Sequence, residues 1–294
     1  MRTFMKSTKL YACCLAALLI GTGAGATTMP DAGQDKRVEW KIQQTWPIAG
    51  KTLAMVNSLD GKFVFLLNDK QQVQVFNSQG QLQGNIPVEE GVSTIDISPQ
   101  GELLYLINNN TQSFTSVAVS FIVEVDISGA PFKGPADAPV TITLFTDFEC
   151  PYCKQIIPLL DEVMTKNPKN VKLSFKNMPL KLHKFAEPSA KAALAAQEQG
   201  KFWPFHDKLF AEQKLSDEAI RKIAVDLKLD LARFDKDMAS PTVQSKLQKD
   251  LLDAQTAGVS GTPTVFINGR TPRQRNFEGF QAIIDEELQK LGKK

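Results

Sequence analysis

The stretch Asp147-Phe148-Glu149-Cys150-Pro151-Tyr152-Cys153 decides the fold of the C-terminal half of this 294-residue chain. It follows a continuous apolar run at 140–145 that reads as a buried strand. It opens a segment with Ile156, Leu160 and Val163 at helical spacing. Pro151 suits the first position of a helix, where its missing N–H costs nothing. Cys150 then falls at the N-cap, where free backbone N–H groups and the positive end of the helix dipole favour a thiolate. Cys153 sits one turn on, on the same face and within disulfide reach. The expected division of labour is an exposed, nucleophilic Cys150 with a lowered pKa and a more buried Cys153 that displaces whatever Cys150 captures. Asp147 and Glu149 precede the motif, and their charge opposes the thiolate if it lies close. Tyr152 brings no positive charge, which points to a less extreme thiolate than a His or Arg would give.

The cysteine inventory favours chemistry over structure. Of the four cysteines, Cys13 and Cys14 lie in a segment, 1–26, that reads as an export leader. Arg2, Lys6 and Lys9 give it a positive start, 11–20 is an apolar run too short to cross a bilayer comfortably, and Ala24-Gly25-Ala26 offers small residues for cleavage. The expected mature chain begins near Thr27, in the periplasm. An uncleaved anchor and, more weakly, a lipoprotein through Cys13 are the alternatives. Losing three positive charges turns the formal net charge from +2 to −1, which gives no electrostatic case for nucleic acid. Exported proteins meet a disulfide-permissive compartment, yet only Cys150 and Cys153 remain, and the loop they close is too small to stabilise the fold much. Zinc is the main alternative for such a pair, but structural zinc takes four Cys or His ligands. His183 and His206 show no paired ligand spacing, and no metal or cofactor is expected.

Upstream, residues 36–127 carry short β patterns at 62–67, 73–76, 93–97 and 103–107, separated by Gly, Asn, Asp and Ser turns. Ser58-Leu59-Asp60-Gly61-Lys62-Phe63-Val64-Phe65-Leu66-Leu67-Asn68 aligns with Ser98-Pro99-Gln100-Gly101-Glu102-Leu103-Leu104-Tyr105-Leu106-Ile107-Asn108, an offset of 40 residues. That period suits a four-stranded propeller blade. The repeat resembles the blades of bacterial surface-layer propellers of the YVTN kind. The resemblance implies a small all-β domain of two blade-like repeats. Two blades cannot close a ring, so either copies of the chain complete one another through 36–127 or the region is a monomeric β sandwich. Residues 128–139, with Pro131, Pro135, Pro139, Gly129 and Gly134, read as a linker. From 140 to 294 strands alternate with helices: a strand, the CxxC helix, a strand at 171–175, a helical block at about 187–257, a strand at 264–267 and a final helix bearing Phe277, Phe280, Ile284, Leu288 and Leu291.

Gly261-Thr262-Pro263-Thr264 is the second chemical signal. A proline entering a strand cannot donate to the ladder, and a cis Thr262–Pro263 bond explains its presence beside a CxxC. The backbone of Thr262 then faces the cysteines and pairs with an extended substrate segment. An ordinary trans proline is the alternative. His183 and His206, with Phe185, Trp203 and Phe205 nearby, read as structural rather than as proton shuttles. Phe202, Trp203 and Phe205 read as core of the helical block.

Taken as a set, these residues resemble the DsbA-like branch of the thioredoxin superfamily over about 129–291. The stretches that carry the resemblance are 147–153, Met178-Pro179-Leu180 followed by His183, Gly200-Lys201-Phe202-Trp203, and 258–269. It implies an α/β thioredoxin fold with a helical insertion, Cys150 as attacking thiol, Cys153 as resolving thiol, cis Pro263, and substrate contacts from Pro151, Tyr152, Thr262 and Pro263. The dipeptide between the cysteines departs from the Pro-His of DsbA. Thr262 before the proline matches isomerase-type relatives, and the extra N-terminal region resembles their dimerisation domains. The function implied is the formation, reduction or isomerisation of disulfides in exported, cysteine-containing proteins, with a redox partner in the membrane. The competing readings are a binding or scaffold protein acting through 36–127, and a thiol-dependent peroxidase.

Overall fold

The computed structural model describes residue 29, residues 31–99 and residues 101–292. The expected leader, 1–26, lies outside them. The described residues form two compact units, one taking residues up to 101 with 105–116, the other 102–104 with 117 onward.

The first unit is a small antiparallel β region. A hairpin of β1 (Ala32–Asp35) and β2 (Val38–Lys41) turns at Lys36 and begins before the boundary expected at 36. β3 (Thr52–Asn57), β4 (Phe63–Asn68), β5 (Gln72–Asn77) and β6 (Leu82–Pro87) make a four-stranded sheet in that order. β7 (Val92–Ile97), β8 (Leu103–Asn108) and β9 (Ser113–Ala118) make a three-stranded one. Phe65, Leu67, Val73 and Val75 are buried in this unit.

The 40-residue repeat has a hydrogen-bond counterpart. Gly61 N–H bonds to the Ser58 carbonyl at 2.9 Å, and Gly101 N–H to the Ser98 carbonyl at 2.8 Å, each glycine at a positive φ that suits it to the turn. Asn68 and Asn108, ending β4 and β8, each donate back to a carbonyl some twenty residues upstream, Ala49 and Glu90, while accepting from the turn that follows. The second sheet has three strands rather than four, and the region stands as antiparallel sheets without being identified as propeller blades.

The second unit has a thioredoxin-like architecture. Its sheet runs β10 (Phe132–Lys133), β12 (Val171–Asn177), β11 (Val140–Thr146), β13 (Thr264–Ile267), with β11 parallel to β12 and antiparallel to β13. The parallel pair needs a crossover, which α1 (Pro151–Lys166) supplies. The stretch 128–139, expected as a linker, is corrected in part. Phe132 and Lys133 add an edge strand against Ser174 and Leu173, because backbone pairing with an open sheet edge does not require an apolar run. The helical insertion between β12 and β13 comprises α2 (Ala186–Gln197), α3 (Phe202–Ala211), α4 (Asp217–Asp226), α5 (Leu231–Met238) and α6 (Pro241–Thr256), and α7 (Phe277–Lys290) follows β13. Ser216, Asp230, Ser240 and Asn276 cap α4, α5, α6 and α7 by accepting from a backbone N–H three residues on.

β11 is buried on both faces, as a central strand must be. Val140, Ile142 and Leu144 pack with Cys153, Ile156, Leu160 and Val163 of α1 and with Phe280 and Ile284 of α7. Phe145, on the opposite face, meets Ala254 of α6 and Phe266. On that second face Lys176 is fully buried, its Nζ 3.0 Å from Asp250 Oδ1 and 2.6 Å from Asp253 Oδ2. Asp250 Oδ2 accepts from both the backbone and side-chain nitrogens of Asn177 at 2.9 Å. This cluster binds α6 to the end of β12.

Candidate active site

β11 ends at Thr146, and Asp147-Phe148-Glu149 lead directly to the CxxC. Cys150 is the N-cap of α1 with φ −76° and ψ 120°, and Pro151 occupies the first turn. The Cys150 side chain makes no capping hydrogen bond, so its sulfur lies outside the helix ladder. Pro151 and Tyr152 face solvent, Tyr152 at 68% exposure. Both cysteines are free thiols.

The Thr262–Pro263 bond is cis. Pro263 is buried and Thr262 half-buried. The Thr262 carbonyl accepts from the Cys150 thiol at 3.7 Å. This contact corrects the expectation of an exposed Cys150, which is only 5% exposed. The cover includes a carbonyl 112 residues away in sequence, which no local pattern announces.

Cys153 is completely buried. Burial pushes its thiol up to about 11, against the hydroxyls of Thr146 and Thr262 and the Asp147 N–H, which favour the thiolate; nearby Cys150 adds to the upward push. At neutral pH Cys153 is therefore a protonated thiol, with Asp147 N–H 3.5 Å from its sulfur.

The two acidic residues before the motif are held by the loop after β12. Asp147 is buried and accepts from Glu149 N–H at 2.8 Å, from Leu180 N–H at 2.8 Å and from His183 Nδ1 at 2.7 Å. A carboxylate partner requires Nδ1 to carry the proton. Glu149 Oε2 accepts from Phe185 N–H at 2.6 Å. Both side chains act as anchors for 180–185, a loop that projects Leu182, 78% exposed, into solvent. His183 thus belongs to the framework behind the dithiol. Sequence reasoning missed this link, since Asp147 and His183 lie 36 residues apart. It also missed Thr146, for which a signal existed: with Ile142 and Leu144, Thr146 continues the period-2 row of β11 that faces α1.

His206 is a core histidine. Its ring lies 4.9–6.1 Å from those of Phe148, Phe175, Phe202, Trp203 and Phe210, and its Nδ1 is 2.8 Å from Asp207 Oδ1. Burial lowers its pKa and outweighs Asp207, which acts in the opposite direction. A depressed folded pKa contributes stability in full above the unfolded value of 6.5 and loses it as pH falls through the folded value. Thermal melts of the wild type between pH 7 and pH 5 should therefore show an acid-induced loss of stability that is smaller in His206→Phe. Equal acid sensitivity in the two proteins would contradict this assignment.

A protein-family model described as Thioredoxin matches residues 128–286. The probable disulfide bond formation protein D of Bacillus anthracis is 33% identical over 171 residues, covering 53% of this chain and 77% of that protein. The Na(+)/H(+) antiporter NhaA 3 of Salinispora tropica is 39% identical over 169 residues, which is 56% of this chain but 26% of the antiporter. The chain therefore matches only about a quarter of that relative's length. Among solved structures, a thioredoxin-like oxidoreductase from Silicibacter pomeroyi DSS-3 superposes with a TM-score of 0.51 at 28% identity, over 55% of this chain and 94% of the other.

Fold, free dithiol and cis-proline loop together define a DsbA-like thioredoxin-fold domain of the thiol–disulfide oxidoreductase class. The chain belongs to the family that the Thioredoxin model describes.

Proposed function

We propose that this chain forms, reduces or isomerises disulfides in exported proteins through Cys150 and Cys153. The observation that carries the reading is the asymmetry of the pair: Cys150 starts a helix under the Thr262 carbonyl, and Cys153 is sealed beneath it. Cys150, as thiolate, attacks one sulfur of a client disulfide, forms a mixed disulfide and releases the other client sulfur as a thiolate. Cys153 then attacks the Cys150 sulfur and frees the client. Exposed Pro151 and Tyr152, with the Thr262 backbone, form the surface that meets an extended client segment, and Pro263 holds Thr262 in place. The names of the Bacillus anthracis and Silicibacter pomeroyi relatives support this chemistry. The leader-like sequence expected at 1–26 supports a periplasmic setting, and regeneration of the dithiol or disulfide falls to a redox partner in the membrane.

A second observation favours isomerisation over simple oxidation. Leu53, Met55, Leu82, Ile107 and Phe114 of the N-terminal β region are large apolar side chains left exposed. Monomers rarely keep such surfaces bare. In this reading the repeats are blade-like units through which copies of the chain associate, placing several dithiols around one client.

The test combines insulin reduction, reactivation of a scrambled-disulfide protein and mass in solution. The expected result is activity in both assays from an oligomer that dissociates when Met55 and Phe114 are changed to Ser. Inactivity of the reduced wild type in both assays would end the exchange reading. A monomer fully active on the scrambled substrate would end the association reading alone.

A further inference from the structure

The loop after β12 borders a groove of about 570 Å³ that it shares with the start of α2 and the end of α5. Pro188 and Met238 supply apolar wall, and Lys181, Lys184, Lys191 and Glu187 line it with charge. Glu187, the one carboxylate in that lining, is paired with Lys191 at 2.7 Å. Lys181 and Lys184 are exposed, and neither forms an ion pair among the described residues. The Lys184 Nζ lies 4.9 Å from the centre of the Phe185 ring, a contact that steadies the ammonium without neutralising it. The groove therefore presents two uncompensated positive charges over an apolar wall.

This loop is tied to the dithiol segment. Glu149, the residue before Cys150, accepts from Phe185 N–H at 2.6 Å, and Asp147 accepts from Leu180 N–H at 2.8 Å and His183 Nδ1 at 2.7 Å. One peptide unit, one glutamate side chain and one hydrogen bond thus join the Cys150 backbone to the loop at Phe185. An extended client covers that path in about four residues, at ~3.3 Å each. The three tethers hold Lys181 and Lys184 in place beside a reacting client, and charges at the rim of an interface set partner choice and the rate of encounter.

We propose that this groove receives an acidic segment of the client, whose carboxylates pair with Lys181 and Lys184 while its cysteine meets Cys150. The inference rests on the exchange reaction proposed above and assigns the class of client that the reaction prefers. Anionic lipid is the other partner that exposed lysines attract. Recognition of that kind takes clusters of roughly four to eight basic residues, whereas here two unpaired lysines border a groove in which the third is already neutralised by Glu187.

The test uses the full chain, reduced, and short peptides whose single cysteine is carried as a mixed disulfide with thionitrobenzoate. The Cys150 thiolate attacks the peptide sulfur, the disulfide bond breaks, and coloured thionitrobenzoate leaves with the electron pair, so stopped-flow absorbance reads capture. Three peptides place Glu, Gln or Lys at about three to five residues from the cysteine. At low ionic strength the Glu peptide should be captured roughly three- to tenfold faster than the Gln peptide, the size expected of two exposed ion pairs, and the Lys peptide should be the slowest. Salt at about 1 M should erase the difference, because screening then acts within ~3 Å. Lys181→Gln with Lys184→Gln should bring the ratio of Glu to Gln rates close to one. Lys181→Glu with Lys184→Glu should make the Lys peptide the fastest, an inversion that a structural loss would not produce. Equal capture of the Glu and Gln peptides by the wild type, or a Glu preference that survives in either double variant, would overturn the acidic-client groove while leaving the exchange reading intact. Lysine-dependent binding to vesicles of anionic lipid without any peptide preference would assign the lysines to a membrane surface and overturn it as well. Release of thionitrobenzoate by the wild type no faster than by free cysteine would remove both readings.

Discussion

Replacing Cys150 by alanine is expected to abolish disulfide exchange, with a loss on the order of a thousandfold or more in insulin reduction, because the attacking sulfur is gone and Cys153, the other cysteine among the described residues, is fully buried. Cys153→Ala should behave differently. Its Cys150 still captures a client disulfide, but nothing displaces the client, so a covalent complex accumulates that is stable until a reductant is added. The pair of outcomes separates the two roles: no adduct in the first variant, a trapped adduct in the second. Comparable activity of Cys150→Ala and wild type would contradict the assignment. Cys153, which is wholly buried and has its pKa pushed up to about 11, should also resist alkylation at pH 7 in the folded protein while yielding to it after denaturation.

The second large effect is on stability. Lys176 is held between Asp250 and Asp253 with almost no access to water. Removing one member of such a cluster leaves an uncompensated buried charge, at a cost of about 3–5 kcal/mol. Asp250→Ala should fall in that range, since it also strips the Asn177 backbone N–H of its acceptor. Lys176→Met leaves two carboxylates facing one another and should be similarly damaging. A double variant, Lys176→Met with Asp250→Ala, should cost clearly less than the two single changes added together, because the remaining Asp253 carboxylate still pairs with Lys249 at 2.8 Å. Urea unfolding of the four proteins checks this, and strict additivity would argue against a tightly coupled cluster. Asn177 lies in register with Thr146, the last residue of β11 before the CxxC segment.

Much of the C-terminal unit was legible in the sequence, and the reasons are physical. The apolar run at 140–145, the helical spacing of Ile156, Leu160 and Val163, and proline at the helix start are local patterns, and each corresponds to an element at that place. The cis bond at Pro263 followed from a proline entering a strand next to a CxxC. What local patterns missed was made by distant partners or by edges. β6 reads Leu-Gln-Gly-Asn-Ile-Pro and β1 Ala-Gly-Gln-Asp, sequences with little β-branched or aromatic content that become strands by pairing with a neighbour. β10 is two residues within a Pro- and Gly-rich stretch. Lys176 in β12 gave no hint of its carboxylates 74 and 77 positions later. The covering of Cys150 by Thr262 and the hold of His183 on Asp147 belong to the same class, since both join segments that only the completed fold brings together.

The anchoring of the 180–185 loop through Asp147 and Glu149 places every tether upstream of the first sulfur. Pro151 and Tyr152 stand outside that scaffold, their side chains turned to water. Mechanical support and chemical tuning are thereby assigned to different positions of one short segment. Selection, or a protein engineer, can change the dipeptide between the sulfurs to reset how readily the pair gains or loses electrons, and the tethers that hold the neighbouring loop stay as they were.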